Sequence, residues 1–98
     1  MEKRTPHYKL HQVKELVEAG KVRTTHTARM SAVLLGFDFM GMIAVVASLT
    51  MKDFYKSMTT HADHRIWQDV YRPRTSAGAI YLKLTVIEDV LIVSFKEL

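Results

Sequence analysis

The last twenty residues, AIYLKLTVIEDVLIVSFKEL (Ala79 to Leu98), hold two strand-like stretches broken only at Glu88-Asp89. β-branched and aromatic residues crowd both stretches, and alternation puts successive side chains on opposite faces of a strand. Two strands joined by so short a break pair as an antiparallel hairpin, and Asp tolerates the left-handed backbone such a turn needs. On the first strand Ile80, Leu82, Leu84 and Val86 share one face, and Tyr81, Lys83 and Thr85 the other. On the second, Leu91, Val93 and Phe95 are expected on the apolar face, with Ser94 and Lys96 on the opposite one. A sheet with one strongly apolar face must pack a second layer against it.

The first half of the chain supplies that layer. Leu10, Val13, Leu16 and Val17 recur at helical spacing, and Gly20 is placed to stop the helix. Thr24 or Thr25 caps a second helix with Ala28, Ala32 and Leu35 inward and Gly36 as its stop. Asp38 caps a third, FMGMIAVVASL, which is apolar nearly all round and therefore expected to be mostly buried. Met40, Met42 and Met51 are expected to fill gaps in that core.

Between the helices and the final hairpin, two more strands are predicted at about 54–59 and 66–72, with the hairpin strands at about 79–87 and 90–96. Pro73 cannot donate to a ladder and ends the second strand, after which SAGA turns into the third. Short connections favour a mainly antiparallel meander. The predicted fold class is α+β: about three N-terminal helices on one face of a twisted, mainly antiparallel C-terminal sheet. Residues 1–98 are expected to form a single domain, since no repeat, linker or low-complexity segment divides them.

Composition narrows the function classes. A hydrophobic share of 48% with 24% charged residues excludes a disordered chain. No cysteine is present, which rules out disulfides and thiolate zinc sites and fits a reducing cytoplasm. No apolar segment follows the basic N-terminal residues, so a signal peptide is not expected, and Phe39 to Leu49 is shorter than the roughly 20 residues that span a bilayer. The formal charge of +4 is a mild basic excess that suits a polyanionic partner.

Parity singles out a set of side chains for the face turned away from the helices. Tyr81 and Lys96 fall there directly. Lys56 travels with Phe54 and Met58 on its strand, and Gln68 with Ile66, Val70 and Arg72. Trp67 and Tyr71, on the other parity, are expected in the core. Lysines, a phenol and an amide on one surface suit phosphate chemistry. In RNA the ribose 2′-hydroxyl can attack its own phosphate if a base, an acid and positive charge for the developing phosphorane are supplied. Taken singly, each residue is more often a solvated, edge-protecting side chain. Arg72 and Arg74 could contact phosphate or simply pair with Asp69 or Asp63. His61 with His64, and His7 with His11, have the spacing of metal ligands, but two imidazoles without a third ligand are more often surface histidines. The pair His61/His64 is also a rival acid–base couple.

Three blocks, MEKRTPHYKLHQVKELV, DFYKSMTTHADHRIWQDVYRP and YLKLTVIEDVLIVSFKEL, carry a resemblance to the MqsR (motility quorum-sensing regulator) toxin family. The resemblance implies a RelE-like α/β fold and the toxin of a type II toxin–antitoxin system. It implies a ribosome-independent mRNA endoribonuclease (mRNA interferase) that cuts single-stranded mRNA at GC-containing sites without a metal or other cofactor, and is associated with persistence and biofilm. It implies a cytoplasmic setting and a cognate MqsA-type antitoxin with a zinc-binding N-terminal half and a helix-turn-helix half, through which alone DNA is reached. Its catalytic positions correspond to Lys56, Gln68, Tyr81 and Lys96, and the candidate RNA contacts are Arg72, Arg74, Lys83 and Met58. Two alternatives stand beside it. One is a non-nuclease toxin on the same fold acting on a protein such as gyrase; the other is a DNA-binding regulator using Lys14, Lys21, Arg23 and Arg29.

Overall fold

The three predicted helices form where their caps stand. The computed structural model describes all 98 residues. Helix α1 covers Leu10–Glu18 and is closed by Gly20 at φ 76°. Helix α2 covers His26–Leu34, with the Thr25 hydroxyl accepting from the Ala28 amide at 3.1 Å. Helix α3 covers Phe39–Ala47, with Asp38 accepting from the Gly41 amide at 2.7 Å. A short 3₁₀ turn, Met51–Asp53, leads into the sheet. Helices α2 and α3 meet at 93°, and no single helix is long and apolar enough to cross a membrane.

The strands are β1 (Glu2–Lys3), β2 (Val22–Thr24), β3 (Phe54–Thr59), β4 (Trp67–Tyr71), β5 (Arg74–Thr75), β6 (Gly78–Ile87) and β7 (Asp89–Glu97). Their order is β1-β3-β4-β6-β7-β2, with β5 paired to β6 off this path. All pairings are antiparallel except β2 with β7. The helices cover one face only. Val13, Val17, Ala28, Ala32, Met42, Val45 and Val46 from the helices bury against Tyr71, Ile80, Leu82, Leu84, Val90, Ile92 and Phe95 from the sheet.

Several expectations needed correction. Strands β1, β2 and β5 lie outside the four expected strands. At two or three residues each they have no pattern of their own and exist through their partners' ladders. Leu91 and Val93 do not share the core face with Phe95. Val90 and Ile92 do, because β7 carries a bulge: Lys83 pairs with Ser94 but Leu84 with Ile92, leaving Val93 as the surplus residue. A second bulge, at Tyr55, separates Phe54 from Lys56 and Met58. Phe54 turns inward against Tyr71, with ring centroids 5.4 Å apart. Met42 fills the core as expected, but Met40 is 70% exposed, since α3 buries only one side, and Met51 is 53% exposed in the 3₁₀ turn beyond it. The hairpin turn puts Glu88, not Asp89, in the left-handed region, at φ 64°. Trp67 lies on the inward parity but stacks on the His7 ring at 5.3 Å instead of joining the core.

Candidate active site on the open face of the sheet

The face opposite the helices is left uncovered, and register decides what stands on it. Directly paired residues of neighbouring strands point to the same side. One row runs Lys56–Val70–Lys83–Ser94 across β3, β4, β6 and β7. Tyr81 pairs with Lys96 on one side of this row, and Met58 pairs with Gln68 on the other. Glu2 of β1 pairs with Met58 and so reaches the same face. All four of Lys56, Gln68, Tyr81 and Lys96 therefore share the open face, together with Lys83 and Met58. Val70 is fully buried yet stands outside the hydrophobic core, roofed by these polar side chains.

The charges are not equivalent. Lys56 donates to the Glu2 carboxylate at 2.5 Å, and only 19% of its side chain is exposed. That hydrogen bond holds the Lys56 amine above the usual lysine range, with the Tyr55 and Tyr81 phenols adding to it; it also holds the Glu2 carboxyl below the usual range. The Lys96 ammonium lies 5.3 Å from the centre of the Tyr81 ring. Lys83 is half-buried, and its amine is pushed down, first by burial and then by the positive charge of Lys96. It has no hydrogen-bond acceptor, ion-pair partner or aromatic ring. At the Lys56 edge, Tyr55 is ringed by the Arg72, Lys56 and Arg4 cations at 4.4, 5.3 and 5.7 Å.

The other candidates separate. Arg72 is exposed and borders the face through Tyr55, whereas Arg74 sits on the β5–β6 hairpin opposite Ala79. Neither pairs with an aspartate. Asp63 is taken by Arg65 at 3.1 Å, which lowers its carboxyl, and Asp69 is buried on the inner face. His61 and His64 lie in the exposed loop between β3 and β4, and His7 lies against Trp67 with its ring pushed toward the neutral form, chiefly by burial. Among the basic residues of the helical half, Lys14 is committed to the Leu49 carbonyl at 2.8 Å and Arg23 to Asp89 at 3.6 Å. A cleft of about 430 Å³ is lined by Pro6, Lys9, Leu10, His11 and Met51, none of them on the open face. The site is thus a surface and not a pocket, a shape suited to a strand more than to a small molecule.

Glu2 was not legible beforehand. It reaches the site because residues 1–8 form a strap pinned by Asp69, which accepts from the His7 amide at 3.0 Å, the Tyr8 amide at 3.0 Å and the Ser57 hydroxyl at 2.6 Å. The family whose description is "Motility quorum-sensing regulator, toxin of MqsA" matches residues 5–97. The "mRNA interferase toxin MqsR" of Escherichia coli (strain K12) is 66% identical over 97 residues, 99% of each chain.

Proposed function

The chain belongs to the motility quorum-sensing regulator family, the toxins of MqsA, and we propose that it is an mRNA endoribonuclease acting through the open face of its sheet. The observation that carries the reading is the convergence of three amines, a phenol and an amide over Val70, with one carboxylate beside them. Such a surface has no apolar recess for a small molecule, and its charge suits a phosphodiester backbone.

The reaction is attack of the ribose 2′-oxygen on the adjacent phosphorus with loss of the 5′-oxygen. Products carry a 2′,3′-cyclic phosphate and a 5′-hydroxyl. Lys56, held protonated by Glu2, supplies charge to the non-bridging oxygens as the phosphorane forms, and Lys96 supplies more from the opposite side. Tyr81, between them, hydrogen-bonds the phosphate or hands a proton to the leaving oxygen. Gln68 orients the nucleotide without adding charge. Met58 offers an apolar contact to a nucleobase, while Arg72 at the edge of the face and Arg74 on the β5–β6 hairpin track the backbone. Positioned side chains provide base, acid and charge, so the chemistry needs no metal or other cofactor.

The physiological substrate is single-stranded mRNA cut at GC-containing steps without the ribosome, in the cytoplasm. The partner is an antitoxin of the MqsA type, zinc-containing and with a helix-turn-helix, which brings the complex to DNA. The short outer strands β1 and β2 leave sheet edges open to strand addition. The test is primer-extension mapping of cuts in a defined naked transcript, with EDTA and without ribosomes. Discrete cuts ending in a cyclic phosphate are expected; cleavage that strictly requires a divalent ion would reject the scheme.

A further inference from the structure

Building on the nuclease reading, we infer that Lys83 is the catalytic base that takes the proton from the attacking ribose 2′-hydroxyl. It stands at the centre of the constellation. Lys56 lies in its row two strands away, Tyr81 lies two residues along its own strand, and Lys96 and Gln68 flank the row on β7 and β4. The groups facing it are few. β3 presents Lys56, β4 presents Gln68 and Val70, β7 presents Ser94 and Lys96, and its own strand presents Tyr81. Asp69 points to the opposite face, and the one nearby carboxylate, Glu2, is engaged by Lys56.

The three amines are thereby sorted into roles. Lys56 has a carboxylate, which favours its charged form, and Lys96 lies over an aromatic ring. Lys83 has neither, is half-buried, and faces two cations without an anion. Burial first, and then the positive charge of Lys96, favour its neutral form. The neutral Lys83 amine takes the 2′-hydroxyl proton as the O2′–P bond forms. The P–O5′ bond breaks, the 5′-oxygen leaves with a proton from Tyr81, the Lys83 ammonium returns its proton to solvent, and Tyr81 regains one from solvent. No other reactant is consumed.

The test is single-turnover cleavage of a short single-stranded RNA spanning a mapped cut site, across pH, by the unaltered chain, Lys83→Arg and Lys83→Ala. The same strand with a 2′-deoxyribose at the cut nucleotide measures binding alone. Arginine keeps the positive charge but cannot be deprotonated near neutral pH. Lys83→Arg is expected to bind the deoxy strand as tightly as the unaltered chain, to cleave about 100-fold more slowly or worse, and to gain rate in simple proportion to hydroxide. Lys83→Ala is expected to recover rate with added primary amines, more so for the more basic ones. If Lys83→Arg cleaves at the unaltered rate with the same pH profile, or amines give Lys83→Ala no rescue, Lys83 is a backbone contact and the assignment falls. Absence of any cleavage by the unaltered chain is a separate outcome that would sink the nuclease reading, and this inference with it.

Discussion

Asp69 is a fully buried carboxylate with no cation to balance it, so replacing it tests the packing logic of the whole N-terminal strap. Its oxygens accept from two backbone amides, His7 and Tyr8, and from the Ser57 hydroxyl. A hydrogen bond to a charged acceptor contributes about 1.5–3 kcal/mol. Three would total roughly 5–9 kcal/mol if all donors stayed dry and unpaired. Two effects reduce that. Alanine relieves the desolvation of the carboxylate itself, and the strap can peel away so that water solvates the freed amides. The expected loss for Asp69→Ala is therefore about 3–4 kcal/mol, a large share of the roughly 5–15 kcal/mol available to a domain this size. At about 4–8 °C per kcal/mol, the melting temperature should fall by roughly 12–30 °C. Urea and thermal melts followed by circular dichroism measure it. Asp69→Asn keeps acceptor capacity for two of the three donors and sets an amide against the third, so it should lose only about 1–3 kcal/mol. A loss below about 1 kcal/mol for the alanine variant, the least expected of a single buried donor group left unpaired, would refute the claim that Asp69 anchors the strap.

Three other expectations follow from single contacts. The Tyr71 hydroxyl is buried without a partner, so Tyr71→Phe should be neutral or stabilise by about 1–2 kcal/mol in the same melts. Burial, then Asp69, push the Tyr71 phenol above its usual value; the fold favours its neutral form, so stability is complete below about pH 10 and drains as pH rises further, a loss Tyr71→Phe should lack. Glu2→Gln should tighten binding of a 2′-deoxy-blocked RNA about twofold to fivefold by releasing Lys56 to phosphate; weaker binding would show that Glu2 positions the amine instead. The folded Glu2 carboxyl is held low, so its pairing is present above the usual carboxyl range and vanishes as pH falls through the folded value. Tyr81→Phe keeps the ring beneath Lys96 but removes the hydroxyl, and should slow cleavage about 100-fold with an unchanged circular dichroism spectrum; activity near that of the unaltered chain would remove Tyr81 from the chemistry.

What could be read beforehand was local. Thr25, Asp38, Gly20 and Gly36 mark helix ends through their own backbone preferences, and the alternation of β6 places Tyr81 and Lys83 without knowledge of any partner. What could not be read depends on distant chain. Glu2 and Val22–Thr24 form strands only because Met58 and Val90 offer them ladders. Asp69 looks like a surface charge until residues 7 and 8 arrive to donate to it. On β7, strict alternation gives the right side for Phe95 and Lys96 but the wrong side for Leu91 and Val93, since one skipped residue reverses parity midway and nothing in VLIVSF announces where. Lys83 was visible as a basic residue on the correct face. Its lack of any counterpart was not, because that is a statement about every other charge around it.

The two bulges have a consequence for engineering. Lys56 follows one surplus residue and Lys96 follows another. Removing Val93 would restore an unbroken ladder that still faces Lys96 toward Tyr81, because the surplus residue would be gone while the parity after it stays. Only the kink and the added twist would be lost. A shortened β7 would therefore keep every reactive group and straighten the floor beneath them, so any change in its cleavage rate would report curvature separately from chemistry.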